Sequence, residues 1–426
     1  MKMKKCQQRL LAVVVVVIIL LLTGCQGKKY EKISGIDSAK NMEETVQENS
    51  EKDRQIGKYN GQTSGIVLIE EAGLEIQDKE NSDEIVVDIR EGELADDFKT
   101  SENNEEDNEL TLLFSGDVLL SDHVLNAYEK ARGIDGVLDF GYQKVVKEAD
   151  FFMVNQEFPF SNRGEAAKDK QFTFRLPPER VSLFQEMGID GVTLANNHAL
   201  DFGPDALLDS CQILDDAGIL HTGAGADLEM ARRPVTVELK GKKIAVIGAT
   251  RVIPVADWAA GKQHPGMLAA YDMTVLLEEI RAQREKNDFV AVFIHWGIER
   301  DERPQDYQRV MGQQMIDAGA DLVIGSHPHV LQGIEYYKGK AILYSLGNFV
   351  FGSSIPRTAL LQVTWENVGE VGSDPVLRLI PGTSSAGYTW MLTEENKRQE
   401  FFQYMKSISN GVVYQTDGTV IPFTEE

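Results

Sequence analysis

Five short apolar runs, each ending in a side chain suited to binding a metal ion, constrain this chain more than any other feature. Leu110 to Phe114 leads into Ser115-Gly116-Asp117, Phe151 to Val154 into Asn155-Gln156-Glu157, and Gly191 to Leu194 into Ala195-Asn196-Asn197-His198. Phe289 to Ile294 leads into His295-Trp296-Gly297, and Asp321 to Ile324 into Gly325-Ser326-His327-Pro328-His329. Runs of this length bounded by turn residues read as buried strands. Lys243 to Ile247 and Ala341 to Tyr344 read the same way. Helices are expected over Pro178 to Met187, Pro204 to Ala217, Tyr271 to Lys286 and Pro304 to Ala318, where Pro opens three of the four and Gly218 and Gly319 stop two. The alternation predicts an α/β domain. In open α/β sheets the carboxyl ends of the strands converge on one crevice, so five such ends can build one site.

The residue types at these ends specify the chemistry. Carboxylate oxygen, amide oxygen and imidazole nitrogen together suit Mn, Fe, Zn or Mg, as one ion or as two bridged by a carboxylate. Taken singly, an Asp after Gly commonly caps a turn and a Glu commonly faces solvent. The convergence carries the reading. Four of the seven histidines, His198, His295, His327 and His329, fall at these ends. His221 reads as a strand edge and His264 as a loop residue. His123 follows Asp117 by only six positions and joins Asn155 and Asn348 as a candidate substrate contact.

The first 25 residues read as a targeting signal. Lys2, Lys4, Lys5 and Arg9 precede an apolar run from Leu10 to Leu22, which is shorter than the ~20 residues of a spanning helix. Thr23-Gly24-Cys25 resembles a bacterial lipobox, in which Cys25 is lipidated and becomes the new N-terminus. The expectation is a protein lipid-anchored on the extracytoplasmic face of a bacterial cell membrane. Of the three cysteines, only Cys211 then remains in the folded part, in a helical pattern that reads as core.

The formal net charge of -24 argues against a nucleic-acid partner. From Gln26 to Glu109 there are about 24 acidic and 10 basic residues with few aromatics, so 26–108 is expected to be an acidic, largely disordered linker. Short apolar islands at Gly65 to Ile69 and Ile85 to Ile89 interrupt it. The folded domain is expected over 109–426, with its motifs within 110–352. Past Gly352, strands are expected at Thr358 to Trp365 and Pro375 to Ile380, then a helix at Glu394 to Ser407 and a polar tail.

Read in order, Gly116-Asp117, Asn155-Gln156-Glu157, Ala195-Asn196-Asn197-His198-Ala199-Leu200-Asp201-Phe202-Gly203, His295-Trp296-Gly297, Gly325-Ser326-His327-Pro328-His329-Val330 and Tyr344-Ser345-Leu346-Gly347-Asn348-Phe349 resemble the poly-gamma-glutamate capsule synthesis (CapA-like) family. That family is itself similar to the calcineurin-like metallophosphoesterases. The resemblance implies a four-layer α/β/β/α sandwich with metal at the strand ends. It implies that Asp117 and His329 hold one ion, that Asn197, His295 and His327 hold the other, and that Glu157 bridges them. It further implies His198 as the catalytic imidazole.

Two departures from the wider phosphoesterase pattern stand out. Val118 and Leu119 follow Asp117 where an Asp-x-His pair is expected, and Asn155-x-Glu157 replaces the bridging Asp motif. A mononuclear site therefore stays open, and two functions remain in play. One is metal-dependent hydrolysis of a phosphoester or of an anionic polymer such as poly-gamma-glutamate. The other is a non-catalytic accessory role in the synthesis, export or anchoring of poly-gamma-glutamate or a similar capsule polymer, with a capsule-synthesis membrane complex as a candidate partner. An acidic domain that meets an anionic polymer needs the metal or a basic patch, for which Arg175, Arg232, Arg233, Arg251 and Arg357 are candidates.

Overall fold

Along the strand Leu110–Val118, Leu110, Leu112 and Phe114 share one packed face while Leu113 faces the opposite side, as the two-residue repeat of a strand requires. Both faces of this strand are buried, which explains its nearly continuous apolar sequence. The structure is a computed structural model describing residues 108–352, 354–368 and 374–424. Cys25, the targeting signal, the acidic segment and its two apolar islands lie outside the described residues.

Two sheets carry the fold. The first runs in the order Tyr388–Met391, Val376–Ser385, Ser354–Trp365, Leu110–Val118, Phe151–Gln156, Gly191–Thr193, Leu220–Thr222, with Asn348–Val350 also pairing to Leu110–Val118. The second runs Ile334–Tyr337, Lys340–Leu343, Leu322–Ser326, Phe289–His295, Lys242–Thr250, Val235–Leu239. The strands bearing the candidate ligands are parallel within each sheet; antiparallel strands complete both edges of the second sheet and one of the first, whose other edge, Leu220–Thr222, is parallel.

Three apolar clusters define the layers. Leu112, Phe114 and Met153 of the first sheet pack against Val246, Ala291, Phe293 and Ile324 of the second. On the outer face of the first sheet, Leu113, Phe152 and Val154 meet Val124, Tyr142, Leu207, Cys211 and Leu214 from helices. On the outer face of the second, Val290, Val292 and Val323 meet Leu276, Ile280, Met311 and Met315. The sequence of layers is therefore helix, sheet, sheet, helix. Spacings such as Leu207, Cys211, Leu214 put one apolar stripe on each helix. Burial pushes the Cys211 thiol up to about 12, consistent with its place in this stripe.

Some boundaries shift from the expectation for local reasons. The helix expected from Tyr271 begins at Thr274, where Asp272 Oδ1 accepts from the Thr274 backbone N–H at 2.9 Å. The one expected from Pro304 begins at Asp306, behind a reciprocal Gln305 and Gln308 capping box. Pro178 opens a single 3-10 turn before Val181–Glu186. The expected polar tail is corrected: Val412–Tyr414 and Val420–Pro422 pair as a hairpin, and Val412 and Val420 are buried in the inter-sheet core beside Phe401 and Met405. Among the described residues no helix is long and apolar enough to cross a membrane.

Candidate metal centre

Asp117 reaches the site through a close approach of two backbones. A Cβ on Gly116 would lie 1.8 Å from the Gly347 carbonyl oxygen, so only glycine lets the strand pass, and the Asp117 N–H donates to that carbonyl at 2.8 Å. Asp117 then stands level with Asn155 on one neighbouring strand and Asn348 on the other.

Asn155 organises the carboxylates. Its Nδ2 donates to Asp117 Oδ1 at 2.8 Å and to Glu157 Oε1 at 3.3 Å, and its Oδ1 accepts from Asn196 Nδ2 at 3.0 Å. Fully buried and bonded to these partners, Asn155 holds the ligands in place. Asn196 also accepts from the His198 N–H at 3.0 Å and so fixes the turn that presents Asn197.

The second sheet closes the cluster. His295 Nε2 lies 2.8 Å from Asn197 Oδ1 and 3.4 Å from Glu157 Oε1, while its Nδ1 lies 3.0 Å from Ser326 Oγ. His329 Nδ1 lies 3.2 Å from Asp117 Oδ2, 4.0 Å from Glu157 Oε2 and 2.9 Å from Asn348 Oδ1. The His327 ring stands 4.7 Å from that of His295 and 5.9 Å from that of His329. His327 and His329 have φ of 96° and 58°, left-handed values that cost on the order of 1–3 kcal/mol each in non-glycine residues and concentrate at ligand clamps.

Burial and charge set the protonation states. Burial, then the charge of Asp117, pushes Glu157 well above the usual carboxylate range. Burial drives His295 well down and, with His329 alongside, His327 down to about 4. His329 moves the other way: burial opposes its charge, but Glu157 and Asp117 outweigh it and hold the imidazole up at about 10.

Two ligand-type atoms in this cluster, Glu157 Oε2 and His327 Nδ1, are buried with no hydrogen-bond partner among the described residues. Unpaired buried acceptors and adjacent carboxylates are costly alone, and a cation relieves both. Ligand atoms of Asp117, Glu157 and His295 lie within 4.8 Å of one another. The donor set fits a divalent metal of the Mn, Fe, Zn or Mg type.

His198 stands beside this cluster with its own supports. Its Nδ1 lies 2.7 Å from the buried Asp201 Oδ2 and 3.0 Å from Lys170 Nζ, and its ring packs 4.5 Å from Phe174. Lys170 also donates to Asp201 Oδ1 and to the Asn197 carbonyl, and sits 5.4 Å from the Trp258 ring. Burial lowers the His198 pKa while Asp201 resists.

Reasoning from the sequence missed Lys170, Ser326 and Glu299, and gave no role to Asp201 although it lies in a quoted motif. Glu299, four residues after His295, places its carboxylate within 4.8 Å of the His327 and His329 ligand nitrogens. His123 is exposed on Asp122–Ala131, and among the described residues no hydrogen bond, ion pair or ring contact ties it to the cluster. Asn348 touches the site through His329. Four of the five candidate arginines are engaged separately. Arg175 lies over Phe202, Arg232 pairs with Glu279, Arg251 lies over Tyr307 and Arg357 over Tyr404.

Residues 111–353 match the family described as bacterial capsule synthesis protein PGA_cap. The chain is 34% identical over 261 residues to the PGA biosynthesis protein CapA of Bacillus subtilis, covering 60% of this chain and 68% of that protein. It is 31% identical over 320 residues to the capsule biosynthesis protein CapA of Bacillus anthracis, covering 72% and 76%. Among solved structures, a phosphatase from Mycoplasma pneumoniae aligns with a TM-score of 0.43 at 13% identity, over 65% of this chain and 95% of that one. The family match and the two relatives agree with the motifs that assemble the cluster: the chain belongs to the bacterial capsule synthesis protein family, CapA type.

Proposed function

We infer that this chain is a divalent-metal-dependent hydrolase of the extracytoplasmic face, acting on a phosphoester or on an anionic capsule polymer such as poly-gamma-glutamate. The observation that carries this reading is the His198, Asp201 and Lys170 constellation beside the donor cluster. A site that only binds carboxylates needs no oriented imidazole. With Asp201 Oδ2 placed to accept from Nδ1, Nε2 is the nitrogen that holds or moves a proton. Asp117, Glu157, Asn197, His295, His327 and His329 are the residues that would hold the metal. When bound, a divalent ion there supplies Lewis-acid polarisation and lowers the pKa of water towards ~7. Lys170 donates to Asp201, which holds His198, and to the Asn197 carbonyl, so the proton carrier and an amide ligand keep one spacing. Phe174 and Trp258 wall this corner with apolar surface and strengthen its electrostatics.

A second reading is an accessory role in assembling a capsule polymer without turnover; the two Bacillus relatives are named for PGA and capsule biosynthesis, which points to the polymer. Lipid anchoring through Cys25 is common to both readings and rests on the basic, apolar and lipobox sequence. Fatty-acid labelling that Cys25→Ser abolishes is its test. The two readings separate on purified full-length protein given model phosphoesters and poly-gamma-glutamate. Turnover that His198→Ala removes with metal content intact supports the hydrolase. Absent turnover, together with polymer production in cells that survives His198→Ala but fails in His295→Ala, supports the accessory role.

A further inference from the structure

Asp117 lacks the ligand expected two residues after it: Leu119 stands there, 4% exposed in the apolar core. The structure puts another carboxylate at the same end of the site. Ligand atoms of Glu299, His327 and His329 all lie within 4.8 Å of one another, and this group includes no residue of the Asp117, Glu157 and His295 group. His327 is 5% exposed and its Nδ1 has no hydrogen-bond partner among the described residues.

The loop that bears Glu299 is built rather than loose. Gly297 has φ 96° and a Cβ there would lie 2.9 Å from Pro328 Cγ, so the loop packs directly on the His327-Pro328-His329 turn. The Arg300 N–H donates to the Pro328 carbonyl at 2.8 Å, with Arg300 itself held at φ 63°. Gln332 Nε2 donates to the Asp301 carbonyl at 2.8 Å, and Gln305 Nε2 donates to Asp301 Oδ2 at 2.7 Å. These contacts tie both residues after Glu299 to the body of the domain. A left-handed arginine next to the carboxylate is backbone strain of the kind retained where a side chain must be aimed.

We propose that Glu299 is a metal ligand of this chain, completing with His327 and His329 the coordination that the sequence around Asp117 leaves short. The proposal rests on the metal-centre reading above. The group it completes has one carboxylate and two imidazoles, a donor set that suits Mn, Fe or Zn. Glu299 is exposed, so its side of the centre is the one open to solvent and to an incoming substrate oxygen.

The test uses the full-length protein, stripped of metal by chelation and titrated with Mn2+ under electron paramagnetic resonance, comparing wild type with Glu299→Ala. Loss of an outer-shell partner typically weakens binding by ~10 to 100-fold, so loss of a direct ligand is expected to weaken one Mn2+ equivalent by at least ~100-fold. The metal-free variant is expected to melt with the wild type, because an exposed carboxylate leaves the core untouched. A smaller loss than ~100-fold overturns direct ligation by Glu299 and leaves the metal centre standing. A wild type that binds no Mn2+ overturns both.

Discussion

His295 Nε2 and Asn197 Oδ1 lie 2.8 Å apart, joining the carboxyl end of a strand in one sheet to the turn after a strand in the other. Without metal this contact helps hold the two sheet ends together, and with metal both atoms are expected to turn to the ion. His295→Ala strips a buried ring from Asn197, Ser326 and Glu157. The metal-free variant is expected to lose about 1–3 kcal/mol of stability in urea titration. The rise in melting temperature that metal gives the wild type is expected to vanish in it.

Metal binding should release protons and strengthen with pH. His329 is held up at about 10 from its ordinary 6.5, so at neutral pH it is protonated until a metal displaces the proton. Glu157, also raised, adds to the release. His295 and His327 are pushed down and are already neutral. Calorimetric titrations at pH 7 in buffers of different ionisation enthalpy should show net proton release, and affinity should rise as pH climbs towards 10. Proton-neutral binding would contradict these assignments.

The same shifts predict how the metal-free protein responds to acid. The folded-state pKa of His327, about 4, lies below its ordinary 6.5, so the folded state binds fewer protons than the unfolded chain between those values. The His327 contribution is fully present above 6.5 and is lost as pH falls through about 4. His327→Asn should flatten the stability profile of the metal-free protein across that window in thermal melts.

His198→Ala and Asp201→Asn separate chemistry from metal holding. Neither residue belongs to the donor cluster, so metal content should match the wild type. Removing a general acid or base typically costs ~10² to 10⁴-fold in kcat. His198→Ala should fall in that range, and Asp201→Asn, which unties Nδ1, should lower kcat and shift the pH profile with little change in KM.

Gly116→Ala tests the backbone approach that delivers Asp117. A methyl group 1.8 Å from the Gly347 carbonyl oxygen cannot be accommodated without moving a strand. A loss of about 3 kcal/mol in denaturant unfolding is expected, accompanied by weaker metal binding. Gly352, where a Cβ meets nothing within 4 Å, serves as the control and should tolerate alanine.

Much of the site was legible because its ligands sit where the apolar pattern stops. Asp117, Glu157, Asn197, His295 and the His327-Pro328-His329 turn each end a run that reads as a buried strand, and the parallel order of those strands brings them together. Lys170 was illegible because it lies in an irregular stretch, 27 residues before Asn197, and reaches the site only by tertiary folding. Glu299 has the composition of a surface loop, and only the packing of Gly297 on Pro328 aims it inwards. Asn155 reads from the sequence as a candidate substrate contact, while in the fold its amide is hydrogen-bonded to Asp117, Glu157 and Asn196. His123 lies on the helix that starts at Asp122, where it is exposed. The C-terminal hairpin was hidden because its burial rests on a few side chains, Val412, Tyr414 and Val420.

The central claim is that these strand ends hold a divalent ion, and elemental analysis of the full-length protein after reconstitution with manganese or zinc addresses it most directly. One or two equivalents of metal per chain are expected, and His295→Ala should lose them. A reconstituted wild type with no metal above background would contradict the account.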